Sequence, residues 1–421
     1  MSKFIPFSGV RNLFAVSVLV FLAVVNLVLT IHDLAPAGST FGPGQSLLKA
    51  HDFLLRRNEA RCVLEGVDPY LVWTQQVVHE PYYPYVKTEL RTERFNEPIN
   101  AYTPWEYPYA FVYAVLPKQG AWALHVVLTL AALALVALFA LRCGGPWSAA
   151  AVLVFFIPLN IDINVGNYPM IITAAVVGMI VFLRRGWQCA AGLCWAVAMF
   201  KPQLGILLAV PLLMKFRVKT CVTAGVLCCV LTVPAAILTG VSPLTLIREA
   251  PAASAHAFEG CALMPKPLLN IVQNLAPADC WMALAMMLGL AVCVVLTWRL
   301  RGNDDWFVLT LPSVLCAIGW TYVQPHSFLL VMPLAAWVAK DVCAHGGFCR
   351  MALGTLVVFL LAGFVRGTEI VIGKVLPAFM AAASCATSLS ATVAFALAVI
   401  YLWRYAAADV ANGRTTDRTS L

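Results

Sequence analysis

Charged residues are sparse along this chain, and the gaps between them carry the first structural information. Stretches without Asp, Glu, Lys or Arg run at 12–32, 119–141, 143–161, 163–183, 186–200, 202–214, 220–247, 280–298, 306–339, 351–365 and 375–403. A helix crosses a bilayer in roughly 20 residues, so most of these runs read as one span each. The run 306–339 has room for two, turning at Tyr322-Val323-Gln324-Pro325-His326. The runs 186–200 and 202–214 are short and meet at Lys201-Pro202, which predicts short or re-entrant helices. The pattern predicts an all-α polytopic membrane protein, a single integral-membrane domain over 1–421 with about 10–12 transmembrane helices. Three polar segments interrupt it: a large first loop at 32–118 carrying interfacial helices, a second loop at 241–279, and a tail at 405–421.

Composition sharpens this picture. Of 421 residues, 61% are apolar and only 11% charged, where a soluble domain carries about 25% charged residues. A soluble core of this size could not hide so much apolar surface, because cores stop growing near ~250–300 residues. The net charge of +8 is scattered at helix ends rather than massed on a stripe, which excludes a nucleic-acid partner. The 14 cysteines fall mostly singly inside apolar runs, where Cys is a small hydrophobe, and no ligand set for a metal surrounds them. Neither a Gly-rich phosphate loop nor a strand followed by GxGxxG occurs.

The first run follows Lys3 and Arg11 and lacks a small-residue cleavage pattern, so it reads as a retained first helix. With that N-terminus inside, alternation places 15 Lys and Arg on the inner side against 5 on the outer side, leaving aside the long first loop. This bias predicts both termini in the cytoplasm. The first loop then lies outside and holds ten of the 20 acidic residues, so any chemistry is expected on the outer face.

Five groups of residues could carry that chemistry. Asp52 and Arg56 stand at i, i+4 and share a helix face, which suits a base beside a phosphate-binding cation, or simply a solvated interfacial helix. Asp68 and Tyr70 follow. Residues 70–113 are dense in aromatics, including Tyr102 and Trp105, which fit an interfacial belt and a sugar or polyprenyl site equally. Asp162-Ile163-Asn164-Val165-Gly166-Asn167-Tyr168-Pro169 reads as a polar turn between two spans. Lys201 is alone in an apolar stretch and precedes a helix-breaking Pro202, and a cation at membrane depth is by default a functional candidate. His326 sits at the outer turn of the 306–339 pair. Charge topology puts all of them on one side.

In this order the motifs resemble the polyprenol-phosphate-mannose-dependent mannosyltransferases of glycosyltransferase family 87. The resemblance rests on Asp52 with Gly66-Val67-Asp68-Pro69-Tyr70, on Tyr102-Thr103-Pro104 leading to Leu116-Pro117, and on Asn164-Val165-Gly166-Asn167. It continues through Phe200-Lys201-Pro202 to Lys215-Phe216-Arg217, and ends at Pro325-His326 before Pro333. The family commonly has Asn-Gly-Gln where this chain has Gly166-Asn167. The resemblance implies a GT-C architecture and inverting transfer of a sugar, mannose first among the hexoses, from a polyprenyl-phosphate donor to a lipid or glycan acceptor. It further implies Asp52 as general base, with His326 sharing the proton or holding the leaving phosphate. Lys201, Arg56, Asn164 and Asn167 would then bind donor phosphate or sugar, and Tyr102, Trp105, Asp68 and Tyr70 would line the sugar or acceptor site. No cofactor or metal is expected, because the donor carries its own activated bond. A bacterial inner membrane is the expected location. Two other classes fit the architecture: a flippase of the same lipids, which needs the cations but no base, and a polysaccharide polymerase or ligase, whose large loop typically falls late in the chain.

Overall fold

The apolar runs become helices, and prolines and glycines punctuate them. The computed structural model describes residues 51–70, 103–250, 278–300, 325–345, 348–362 and 396–406, with isolated positions between 17 and 28 and at 393. All regular elements among the described residues are helical. α1 (His51–Leu64) is followed by a 3-10 turn (Pro104–Glu106) that runs into α2 (Tyr107–Val115), and then by α3 (Lys118–Gly144), α4 (Pro146–Leu153), α5 (Phe156–Val165), α6 (Pro169–Arg184) and α7 (Gln188–Ala198). A broken segment comes next, α8 (Pro202–Gly205) and α9 (Ala209–Met214), before α10 (Val218–Thr239) and α11 (Ala278–Leu300). A second 3-10 turn (Pro325–Val331) leads into α12 (Met332–His345) and α13 (Phe348–Leu361). Pro104, Pro146, Pro169 and Pro202 each open a helix, where a missing N–H leaves nothing unsatisfied.

Among the described residues, three stretches are long and apolar enough to cross a membrane: Lys118–Gly144, Val218–Thr239 and Ser327–His345. The chain is a multi-pass membrane protein. The run 143–161, read from sequence as one span, is a bent pair of helices, α4 and α5, that meet at 49° and together are long and apolar enough for a span. Pro158 explains the bend, because it withholds an N–H from the Val154 carbonyl and crowds it. The segment 202–214 is short and broken, as its length predicts. The expected span at 12–32, the first half of the 306–339 pair, the greater part of the span at 375–403, the loop stretches 71–102 and 251–277, and the tail from 407 lie outside the described residues, but for isolated positions.

Packing follows residue size and polarity. α3 lies against α4 and α6, α7 against α6 and α10, and α12 against α4 and α13. At the α7–α10 crossing, a Cβ on Gly192 would lie 2.6 Å from the Thr223 Cβ and 2.9 Å from the Thr220 carbonyl, so only glycine lets these helices approach so closely. The opposite flank of α10 exposes Val222, Val226, Val230, Val233 and Ile237. A continuous apolar stripe of this kind faces lipid.

α3 fixes the long dimension. Its first turns carry Trp122 and His125, whose rings lie 5.3 and 5.8 Å from that of Phe53 in α1. Its last turn brings Gly144 beside Lys340 of α12. At 1.5 Å per residue these two points are about 30 Å apart. At the Lys340 end Asp341 receives two hydrogen bonds from Arg350, at 2.8 and 2.5 Å, and one from the Tyr401 hydroxyl at 2.6 Å. That node ties α12 and α13 to the 396–406 helix. Among the described residues Asp52, Glu59 and Glu106 of the first loop gather at the other end.

Candidate active site

The site grows from one face of α1. Asp52, Arg56 and Glu59 fall at i, i+4 and i+7, so one helical face presents two carboxyls and a guanidinium. Instead of lying on a surface, the helix is enclosed: every residue from Phe53 to Ala60 is buried. Arg57 anchors it, donating from Nε to the Tyr113 carbonyl and from Nη2 to the Leu116 carbonyl, both at 3.2 Å. These are the orphan acceptors at the end of α2, where a cation is favoured.

The polar turn between α5 and α6 meets α1 side on. Asp162 organises it: the Gly166 amide donates to its carbonyl at 2.8 Å, and its Oδ2 accepts from the Met170 amide at 3.2 Å. Gly166 takes φ +74°, and a Cβ there would sit 2.4 Å from the Phe53 Cβ. Only glycine satisfies both demands. The next residue, Asn167, receives the Tyr168 amide on its Oδ1 at 2.8 Å and donates from Nδ2 to Asp52 Oδ2.

Arg56 sits at the centre, with 1% of its surface exposed. Its Nη1 donates to the Gly166 carbonyl at 3.0 Å, its Nε lies 2.7 Å from Glu106 Oε1, and its guanidinium lies over the Tyr168 ring, 3.2 Å from the centroid. Lys201 is a further buried cation, and the charges of Asp52, Arg56, Asp162 and Glu106 all act on it. The backbone that carries Lys201 is held from the first loop. Trp105 Nε1 donates to the Met199 carbonyl at 2.9 Å, and Thr103 Oγ1 to the Phe200 carbonyl at 3.3 Å. Tyr109 closes the wall, its ring 5.4 Å from Tyr168 and 5.7 Å from Phe200.

Arg56 and Lys201 thus lie among the carboxyls of Asp52, Glu59, Glu106 and Asp162. Burial pushes the Glu106 carboxyl up to about 7, with the Arg56 charge pulling back. It raises Glu59 well above its ordinary value, and the nearby charge of Glu106 adds to that. Burial thus disfavours the charged form of Glu59, while Glu106 pairs with Arg56 at 2.7 Å. Among the described residues no group of His, Cys, Asp and Glu is arranged to hold a metal ion.

The structure thus brings together Asp52, Arg56, Asn167 and Lys201, with Trp105 against the segment that carries Lys201. Asn164 turns back along α5, donating to Asn160 Oδ1 at 3.1 Å. Asp68 accepts the Tyr70 amide at 2.9 Å, and the Tyr70 ring packs in a separate small core with Val63, Tyr107 and Leu246. Tyr102 and the side chain of His326 lie outside the described residues; the 3-10 turn containing residue 326 packs on α5 and α6. Sequence reasoning missed Glu106, Glu59 and Tyr168. A signal for Glu106 existed: it is the one acid between Glu97 and Asp162, a charge isolated in an apolar setting as Lys201 is.

Comparison with known proteins adds a family. No curated protein matches the chain. Among solved structures, ArnT from Cupriavidus metallidurans is similar in its apo state at 13% identity and TM-score 0.38, over 92% of this chain and 77% of that one. The same protein bound to undecaprenyl phosphate gives 13% identity and TM-score 0.39, over 91% and 76%. The family profile of glycosyltransferase family 87 matches residues 101–319, a stretch that contains Glu106, the Asp162–Tyr168 turn and Lys201, while Asp52 and Arg56 precede it. With more than half of its length matched, this chain belongs to glycosyltransferase family 87.

Proposed function

We propose that this membrane glycosyltransferase moves a hexose, mannose first, from a polyprenyl-phosphate carrier to a lipid or glycan acceptor. The reaction takes place on the outer face of a bacterial inner membrane, with both termini in the cytoplasm. The observation that carries the reading is the convergence of Asp52 with Lys201 and Arg56, a carboxylate base beside two buried cations. The acceptor hydroxyl attacks the anomeric carbon from the face opposite the phosphate, the carbon–oxygen bond to phosphate breaks, and the configuration inverts. Asp52 takes the hydroxyl proton. The leaving polyprenyl phosphate gains negative charge as it departs, and preplaced cations stabilise that charge. Lys201 meets it, with Arg56 adding to the positive field. A hydrogen bond from Asn167 to the carboxylate favours its ionised form and fixes its orientation. His326, on the turn against α5 and α6, shares the proton or holds the phosphate. Trp105 braces the segment that carries Lys201 and Tyr102 completes the acceptor wall, whereas Asn164, Asp68 and Tyr70 are engaged elsewhere. The donor carries its own leaving group, so the reading calls for neither nucleotide nor metal.

The test is transfer of radiolabelled mannose from polyprenyl-phosphate-mannose to membrane-extract acceptors by purified protein. Asp52→Asn is expected to lower the rate by about 10²–10⁴-fold, the range a positioned general base supplies, with the protein still eluting as a monodisperse species. Equal transfer by both proteins would remove Asp52 from the chemistry. Movement of labelled lipid across liposomes without sugar transfer would favour a flippase.

A further inference from the structure

Glu106 lies outside every motif by which the site is read, yet it holds the side chain on which the site's geometry turns. We propose that Glu106 is a positioning residue for sugar transfer: as a carboxylate it locks Arg56 onto the Gly166 carbonyl and the Tyr168 ring, and so sets the turn that delivers Asn167 to Asp52. The inference rests on the transfer reading above and deepens it.

The contacts form an unbroken chain. Glu106 Oε1 lies 2.7 Å from Arg56 Nε, and both side chains are 1% exposed. From the same guanidinium Nη1 reaches the Gly166 carbonyl at 3.0 Å, and the plane covers Tyr168 at 3.2 Å. Arg56 thereby grips the residues on both sides of Asn167, and Asn167 holds the Asp52 carboxylate. A guanidinium enclosed this fully needs a counter-charge to stay ionised and fixed. Glu59 stands on the same helix face but burial raises its carboxyl well above the ordinary value, whereas the 2.7 Å contact makes Glu106 an ion-pair partner of Arg56. The other groups acting on Glu106 are Lys201, whose charge favours its ionised form, and Tyr168. Neutralising Glu106 releases the lock while leaving Asp52 and Lys201 in place. Because the Glu106 carboxyl is pushed up to about 7, the lock closes above that pH and opens below it.

The experiment measures kcat and donor KM from pH 5 to 9 for wild type, Glu106→Gln, Glu106→Asp, Asn167→Ala and the Glu106→Gln/Asn167→Ala double variant. Misplacing a base from a distance can lower the rate by about a hundredfold. The expected result is that loss in kcat for Glu106→Gln, with donor KM little changed. Glu106→Asp should recover most of it, and the acidic limb of the wild-type profile near pH 7 should be absent from Glu106→Gln. Glu106 and Asn167 do not touch, so independent effects would multiply. If Glu106 acts through the turn, the Gln substitution costs little in the Asn167→Ala background. A wild-type rate in Glu106→Gln, or an equal loss in both backgrounds, overturns the proposal. Should Glu106→Gln fail to fold, a wild-type kcat that stays flat from pH 5 to 9 overturns it as well. A wild type that transfers no sugar overturns the functional reading, and the positioning role falls with it.

Discussion

Glu59 and Arg56 occupy successive turns of one helix and are both buried, yet the same surroundings have opposite consequences for them. Arg56 keeps its charge, because it has Glu106, the Gly166 carbonyl and the Tyr168 ring around it. Glu59 is raised by burial and by the nearby charge of Glu106, which favours its protonated form. A protonated carboxyl and an amide are close in shape and polarity, so Glu59→Gln is expected to fold and to transfer sugar like wild type. The linkage has a definite sign. Folded Glu59 binds its proton more tightly than the unfolded chain, whose value is near 4.5. Raising the pH above that value therefore favours unfolding. Glu59→Gln should match wild-type thermal stability at pH 5 and exceed it at pH 8, as measured by unfolding in detergent.

At the scale of elements, the site is made at helix ends: the start of α1, the α5–α6 turn and the start of α8. The sequence reveals these ends well, because Pro169 and Pro202 open helices and Gly166 closes one, each by local sterics. It reveals Lys201 for a related reason, since an isolated charge in an apolar run is expensive unless used. What cannot be read locally is which ends meet. Asn167 reaches Asp52 across 115 residues and Arg56 reaches Gly166 across 110, and both encounters depend on packing that no short-range pattern encodes. The aromatics of 70–113 are ambiguous in sequence for the same reason. Trp105 and Thr103 prove to brace the carbonyls of Met199 and Phe200, a role invisible in their own segment. Gly166 tests the element-level account. Gly166→Ala must adopt φ +74° and push its Cβ toward Phe53, at a cost of about 1–3 kcal/mol. The expected outcome is reduced thermal stability together with loss of transfer, because α1 and the turn are forced apart.

At the scale of the whole molecule, a second charged cluster stands apart from the site. Arg184, Cys143 and Lys340 cluster far from Asp52, at the end of α3 where Asp341 ties down α12 and α13. Arg184 and Lys340, both assigned to the inner side by the Lys and Arg counts, meet at this end of α3. On the proposed topology the exposed Cys343 and Cys349 face the cytoplasm. A membrane-impermeant maleimide should therefore leave both unlabelled in intact spheroplasts and modify both in inverted vesicles, read by peptide mass spectrometry. Labelling in spheroplasts would reverse the orientation and move the site to the inner face.

The anchoring of α1 by Arg57 and Glu106 also bears on biosynthesis. Arg57 finds its acceptors 56 and 59 residues downstream, and Arg56 finds Glu106 at 50, whereas the contacts with Gly166 and Asn167 wait for more than a hundred residues. A ribosome delivering this chain makes α1 and α2 well before the turn between α5 and α6. The nearer partners close the shorter loops, and shorter loops close at lower entropic cost. α1 and α2 can therefore pair early, their charges already matched, and wait as a preformed half-site. Insertion of α5 and α6 then supplies the second half, so the catalytic carboxylate is completed only when the membrane part of the protein is largely built.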